Sequence, residues 1–106
     1  MDTVISKGSS LKGLVELVGK STVDGNIEGE IHSTDELVIG ENSSIKANIA
    51  ADALIIYGKV EGDLRCNTRL ELKKGSYVLG NILSPKVAVE DGAIFEGRCW
   101  MEKEAA

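Results

Sequence analysis

Aromatic side chains are scarce in this chain, at 4% of 106 residues, with a single Phe and a single Trp. A core without large rings has to be assembled from many aliphatic side chains of similar size, which favours a layered, repetitive interior over an irregular one. Positive charge is also short: 12 Lys and Arg against 17 Asp and Glu leave a formal net charge of -5, and no basic cluster is longer than Lys73-Lys74. That balance lacks the phosphate-neutralising surface that nucleic acid requires, so nucleic acid is not an expected partner. No apolar run approaches the ~18 residues of a membrane-spanning helix. The opening MDTVISKGSS lacks the basic start and apolar block of a signal peptide, so the chain reads as neither spanning nor exported. Two cysteines, Cys66 and Cys99, are too few for a disulfide framework. Both fall at inward positions of the pattern below and are expected to be reduced core thiols.

What the chain does have is 42% hydrophobic and 27% charged residues, the balance of one globular domain. Those residues are arranged as a repeat. Its first half reads Leu11-Lys12-Gly13-Leu14-Val15, Ile27-Glu28-Gly29-Glu30-Ile31, Ile45-Lys46-Ala47-Asn48-Ile49, Val60-Glu61-Gly62-Asp63-Leu64, Val78-Leu79-Gly80-Asn81-Ile82 and Phe95-Glu96-Gly97-Arg98-Cys99, with start-to-start spacings of 16, 18, 15, 18 and 17. Between these units lies a second apolar segment: Leu37-Val38-Ile39, Leu54-Ile55-Ile56, Leu70-Glu71-Leu72 and Val87-Ala88-Val89. Alternation of apolar and variable residues is a period-two signal, so both halves are short strands separated by turns. Two strands per ~16 residues leave no room for βαβ crossovers, and a regular period does not suit a meander. A coil in which each repeat makes one turn and stacks on the last satisfies both constraints. The expected fold is therefore all-β, a single-domain parallel β-helix of about six rungs and, at roughly 4.8 Å per rung, about 29 Å long. Residues 1–10 are expected to form a short tail or cap, 11–101 the β-helix and 102–106 a short C-terminal tail.

Two columns stand out. Gly13, Gly29, Ala47, Gly62, Gly80 and Gly97 form a small-residue column. Because Ala47 would be costly at positive φ, lack of room beside a tight corner is the expected constraint. The residues before it, Lys12, Glu28, Lys46, Glu61, Leu79 and Glu96, form an outward ladder whose charge alternates over its first four rungs. One segment conflicts with the scheme: Leu11, Leu14, Val15 and Val18 also fit a short amphipathic helix capped by Ser9 or Ser10. Gly13 disfavours that helix and fits the small-residue column, so a first rung is the preferred reading.

Chemistry is sparse. His32 has no Ser, Cys or Asp partner set by spacing and cannot form a metal site alone. Glu90-Asp91 precedes Gly92 as a turn, Asn42-Ser43-Ser44 reads as a turn despite matching a glycosylation pattern, and no phosphate-binding glycine motif occurs. Accordingly, no catalytic, metal or cofactor-binding residues are expected. What remains is shape. The first and last rungs of a β-helix are open edges that soluble solenoids cap, and few residues flank the repeat at either end. Leu11 and Val15 at one end, with Phe95, Trp100 and Met101 at the other, are the expected polymer interface, joining rods end to end. Outward Val38, Ile55 and Ala88 form an expected apolar stripe, suited to lateral pairing, a membrane or a partner.

The stretches Ile27 to Ser33, Leu37 to Glu41, Gly58 to Leu64, Leu70 to Lys73 and Val89 to Cys99, the last containing EDGAIFEG, resemble the bactofilins over about residues 3–101. The resemblance implies a right-handed, three-faced β-helix that polymerises without nucleotide into non-polar cytoskeletal filaments. It also implies roles in cell shape, appendage formation or local cell-wall remodelling in the bacterial cytoplasm, often at the inner face of the membrane. The implied partners are other copies of the chain, cell-wall enzymes and membrane-associated proteins. Family members carry longer tails, some with a membrane-targeting stretch, whereas this chain begins MDTVIS and ends MEKEAA. Two other classes stay open: a non-polymerising adaptor that closes as a small oligomer, and, far less favoured, a hexapeptide-type acyltransferase, whose strict six-residue period is not kept here.

Overall fold

The computed structural model describes residues 3–5 and 10–100, and every strand pairing in it is parallel. The strands are β1 (Thr3–Ile5), β2 (Ser10–Leu17), β3 (Ser21–Val23), β4 (Asn26–Ser33), β5 (Glu36–Ile39), β6 (Ser44–Ile56), β7 (Lys59–Glu61), β8 (Leu64–Leu72), β9 (Tyr77–Leu83), β10 (Val87–Val89) and β11 (Ile94–Trp100). No helix occurs among the described residues; the segment that also fitted an amphipathic helix is strand β2.

The chain winds as a three-sided parallel solenoid. Side one stacks Leu11 on Ile27, Ile45, Val60, Val78 and Phe95, six levels separated by five turns. Side two stacks Val15, Ile31, Ile49, Leu64, Ile82 and Cys99. Side three stacks Ser21, Leu37, Leu54, Leu70 and Val87. Each register is the one the repeat predicts. The fully buried Ile27, Ile31, Leu37, Ile39, Leu54, Ile56, Leu70, Leu72 and Ile82 meet in the middle. Burial of each contributes roughly 1.5–3 kcal/mol, offsetting the entropy of ordering its rung.

Side three starts earlier than the apolar triplets indicate. Strand β3 pairs with β5, and β1, within the segment expected to be a tail or cap, pairs with β3. Ser21 occupies the place of the leucines below it and is buried, its hydroxyl donating to the Gly19 carbonyl at 3.3 Å.

The uneven period has a local cause. Between side three and the next side one, two residues intervene after Val23 and Ile56, but four after Ile39, Leu72 and Val89. The longer corners are turns at Glu41-Asn42, Lys74-Gly75 and Asp91-Gly92, and they produce the spacings of 17 and 18. Both corner types keep the adjoining strands in register. Asp24, in a short corner, accepts from the Asn42 backbone N–H at 3.1 Å, which ties the protruding turn to the rung before it.

The small-residue column lies where side one bends into side two, and its cause differs from the expectation of limited interior room. Its glycines have φ between 109° and 139°, a region that residues with a Cβ rarely adopt. A Cβ on Gly80 would overlap the carbonyl oxygen of Gly62 in the preceding rung, so the obstacle lies along the solenoid axis. Ala47 escapes because its rung does not adopt that backbone conformation: no non-glycine residue has positive φ among the described residues, and Ala47 is buried at 5% exposure.

The cysteines separate. Cys66 is buried, and burial first, then the Asp52 charge, pushes its thiol from 9.0 up to about 12. Cys99 is exposed, contrary to the expected core thiol. It occupies the inward column of Ile82 but stands on the last described rung.

Two tests follow. Gly80→Ala should destabilise the fold by about 2 kcal/mol or more, read from the urea midpoint by circular dichroism, because positive φ and backbone overlap coincide. Gly75→Ala, also at positive φ but with open space around the added Cβ, should cost about 1 kcal/mol. The raised Cys66 value stabilises the fold fully below pH 9.0, and that contribution is lost as pH rises toward about 12, since only the unfolded thiol ionises in that window. Cys66→Val should therefore flatten the alkaline decline in stability by up to about 1.4 kcal/mol per pH unit.

Candidate functional site

The inward columns end abruptly. At the C-terminal end, Val89 is 55% exposed although Leu72, its register partner, is fully buried. Cys99 is exposed above buried Ile82. Phe95 is half-buried against the core, while Ile94 and Trp100 on the same strand are exposed in the outward columns of Tyr77 and Leu83. At the other end Leu11 is 38% exposed above fully buried Ile27, and Val15 is half-buried above Ile31. Leu14 and Val18 add exposed apolar surface beside them. The structure thus places Leu11, Val15, Phe95 and Trp100 on terminal rungs, two at each end. Met101 lies outside the described residues.

Val89 and Cys99 escaped sequence reasoning as end-face groups because alternation places residues in or out without marking which rung lacks a neighbour. Their position after the last complete repeat was the available signal. Strands at such ends leave rows of N–H and C=O groups directed along the axis, with the spacing another rung needs.

The lateral stripe is shorter than expected. Val38 stacks on Ile55 and both are half-buried, but Glu71 comes next in register and separates them from Ala88. Glu71 is held there by Lys73 at 3.5 Å and Arg69 at 3.4 Å. The stretch Leu70-Glu71-Leu72 already carried that interruption.

The outer surface offers little chemistry. His32 lies 3.7 Å from Glu30 on side two, both exposed, along a shallow open groove shared with Asn48, Asp63, Arg65 and Trp100. The groove pairs no nucleophile with a base in a water-excluded site. Among the described residues no group of three His, Cys, Asp or Glu is placed to hold a metal ion, and no helix is long and apolar enough to cross a membrane.

Comparison with known proteins bears on these ends. Residues 3–100 match the family model described as Bactofilin, polymer-forming cytoskeletal. Bactofilin BacP of Myxococcus xanthus (strain DK1622) is 31% identical over 97 residues, covering 92% of this chain and 40% of BacP. The chain thus spans about two fifths of that relative's length. Bactofilin BacO of the same organism is 27% identical over 101 residues, covering 95% of this chain and 80% of BacO. The cytoskeletal bactofilin BacA, whose atomic structure was revealed by solid-state NMR, superposes with a TM-score of 0.84 at 28% identity, covering 99% of this chain and 98% of BacA's. A parallel solenoid with open apolar ends, matched along nearly its whole length, places the chain in the bactofilin family of polymer-forming cytoskeletal proteins.

Proposed function

We propose that this bactofilin is a passive, non-enzymatic scaffold whose solenoids join end to end into filaments without nucleotide. The observation that carries this reading is the contrast within two inward columns: Leu72 and Ile82 are buried, while Val89 and Cys99 one rung later are exposed. A second solenoid supplying the next rung would bury these groups and pair the axial edge, as each rung already does for its neighbour. The interface consists of Leu11 and Val15 at one end and Phe95 and Trp100 at the other, with Met101 assigned to it from the sequence. A junction built from backbone ladders and aliphatic packing requires no hydrolysed ligand, so growth follows concentration.

Such a filament would act in the bacterial cytoplasm as a scaffold for cell shape, appendage formation or local wall remodelling, non-polar as the family resemblance implies. Cell-wall enzymes and membrane-associated proteins are its proposed partners. The half-buried Val38 and Ile55 pair is the remaining apolar ground for a lateral or membrane contact, with Ala88 set apart beyond Glu71.

Negative-stain electron microscopy of purified protein, with and without ATP or GTP, should show long thin filaments in every sample. Discrete particles at all concentrations would instead indicate a closed oligomer. Phe95→Arg should keep the β-sheet dichroism and abolish long filaments, because a guanidinium would be desolvated at the junction. Maleimide should label Cys99 in the unassembled variant and label it far more slowly in wild-type filaments, while Cys66 stays unlabelled until unfolding; equal Cys99 labelling in both would remove that rung from the junction.

A further inference from the structure

The ladder Lys12, Glu28, Lys46, Glu61, Leu79 and Glu96 runs in register up the outer surface of side one. Its charges are largely unpaired within the chain: among the described residues, only Lys12 and Glu28 form an ion pair in the ladder, at 3.9 Å with both side chains mostly exposed. Lys46 sits between two glutamates and reaches neither within 4.0 Å. Glu96 accepts from the Tyr77 hydroxyl at 3.3 Å. Side one is also electrically balanced on an acidic chain, because Lys12, Lys46 and Lys59 match Glu28, Glu61 and Glu96.

The order of these residues is self-complementary on reversal. Setting a second copy face to face with its axis reversed brings Lys12 opposite Glu96 and Lys46 opposite Glu61, each pairing made twice by symmetry. The uncharged rung, Leu79, falls opposite Glu28, and in the neighbouring column Asn26 falls opposite Tyr77 and Ser44 opposite Lys59. With the axes parallel and ladder on ladder, every charge would instead meet its own kind. We infer that side one is a lateral interface for a second copy of this chain in antiparallel orientation, selected by the charge ladder. This inference adds a lateral contact to the end-to-end filament reading and rests on it for its strength: each exposed ion pair is worth only about 0.2–1 kcal/mol, and repetition along a filament multiplies it.

The charge-reversal test uses central rungs, leaving the ends intact. Wild-type filaments should pair laterally at low salt and separate as the Debye length shortens. Lys46→Glu filaments and Glu61→Lys filaments, each assembled alone, should show about tenfold fewer lateral pairs. Mixing the two preformed populations should restore pairing, since each variant then presents the charge that the other lacks. Undiminished pairing in either variant alone, or no restoration on mixing, would overturn the assignment. Cross-linking supplies an independent reading in a Cys99→Ser background with a short bis-maleimide. Protein carrying Glu28→Cys should couple to protein carrying Leu79→Cys in higher yield than to itself, because the reversed register separates two copies of position 28 by three rungs, about 14 Å. Equal yields would also overturn it. Failure of every sample to form filaments would count against the end-to-end reading, and the cross-linking ratio would still decide the lateral contact.

Discussion

The parallel backbone ladder between successive rungs is the constraint on which the rest of this structure depends. Each rung satisfies its N–H and C=O groups through the rungs above and below, so every turn of chain must repeat the path of the last to within a hydrogen bond. The corners follow from that demand. Where side one bends into side two, the bend needs positive φ, and glycine supplies it at every level except that of Ala47. Where side three returns to side one, extra residues loop outward in the turns at Glu41-Asn42, Lys74-Gly75 and Asp91-Gly92, and the strands beyond remain aligned. Insertions are tolerated at that corner because the loop leaves the ladder undisturbed. An insertion within a strand would send the following side chains to the wrong face.

How much of this was legible in the sequence depended on how local each signal was. The columns from Leu11 to Phe95 and from Leu37 to Val87 were readable because inward aliphatics recur beside a small corner residue. Strand β3 was not, since Ser21-Thr22-Val23 lacks the leucine of its stack-mates and is defined by pairing with Leu37-Val38-Ile39. The cause of the glycine column was misread for a related reason. Ala47 was taken to report on the conformation of the whole column, yet its glycines have φ between 109° and 139° and Ala47 does not have a positive φ. Likewise, alternation identified Cys99 as inward, and register confirms that direction; exposure is decided by whether another rung follows. Direction is a property of the residue's own strand, whereas burial is a property of its neighbours.

That distinction also explains why the ends, rather than a pocket, form the candidate site. In an enzyme, function concentrates where several elements converge to exclude water around a few polar groups. Here the convergent space is filled by aliphatic columns, and the polar groups are distributed outside in rows. His32 and Glu30, 3.7 Å apart, both lie exposed on the outer surface. The candidate feature is the backbone edge of the last described rungs, a set of groups that sequence motifs do not display.

The three surfaces of the solenoid consequently have different freedoms. Interior positions are bound to the column, and corner glycines to the ladder, so both are restricted by every adjacent rung at once. On the proposed end-to-end reading, end faces have to match a copy of the chain and are restricted by self-complementarity. Outer positions carry neither burden: register along side one is held by Gly80 against Gly62 and by Val78 on Val60, with Lys12 and Glu28 adding only an exposed ion pair at 3.9 Å. Breaking such a pair alters the fold by at most about 1 kcal/mol, far less than emptying one aliphatic position in a column. Charge order on the outer faces can therefore change while the rod and its ends persist. Under the proposed assembly, growth is specified by the backbone edge, and recognition at the sides is specified by the side chains that the fold needs least.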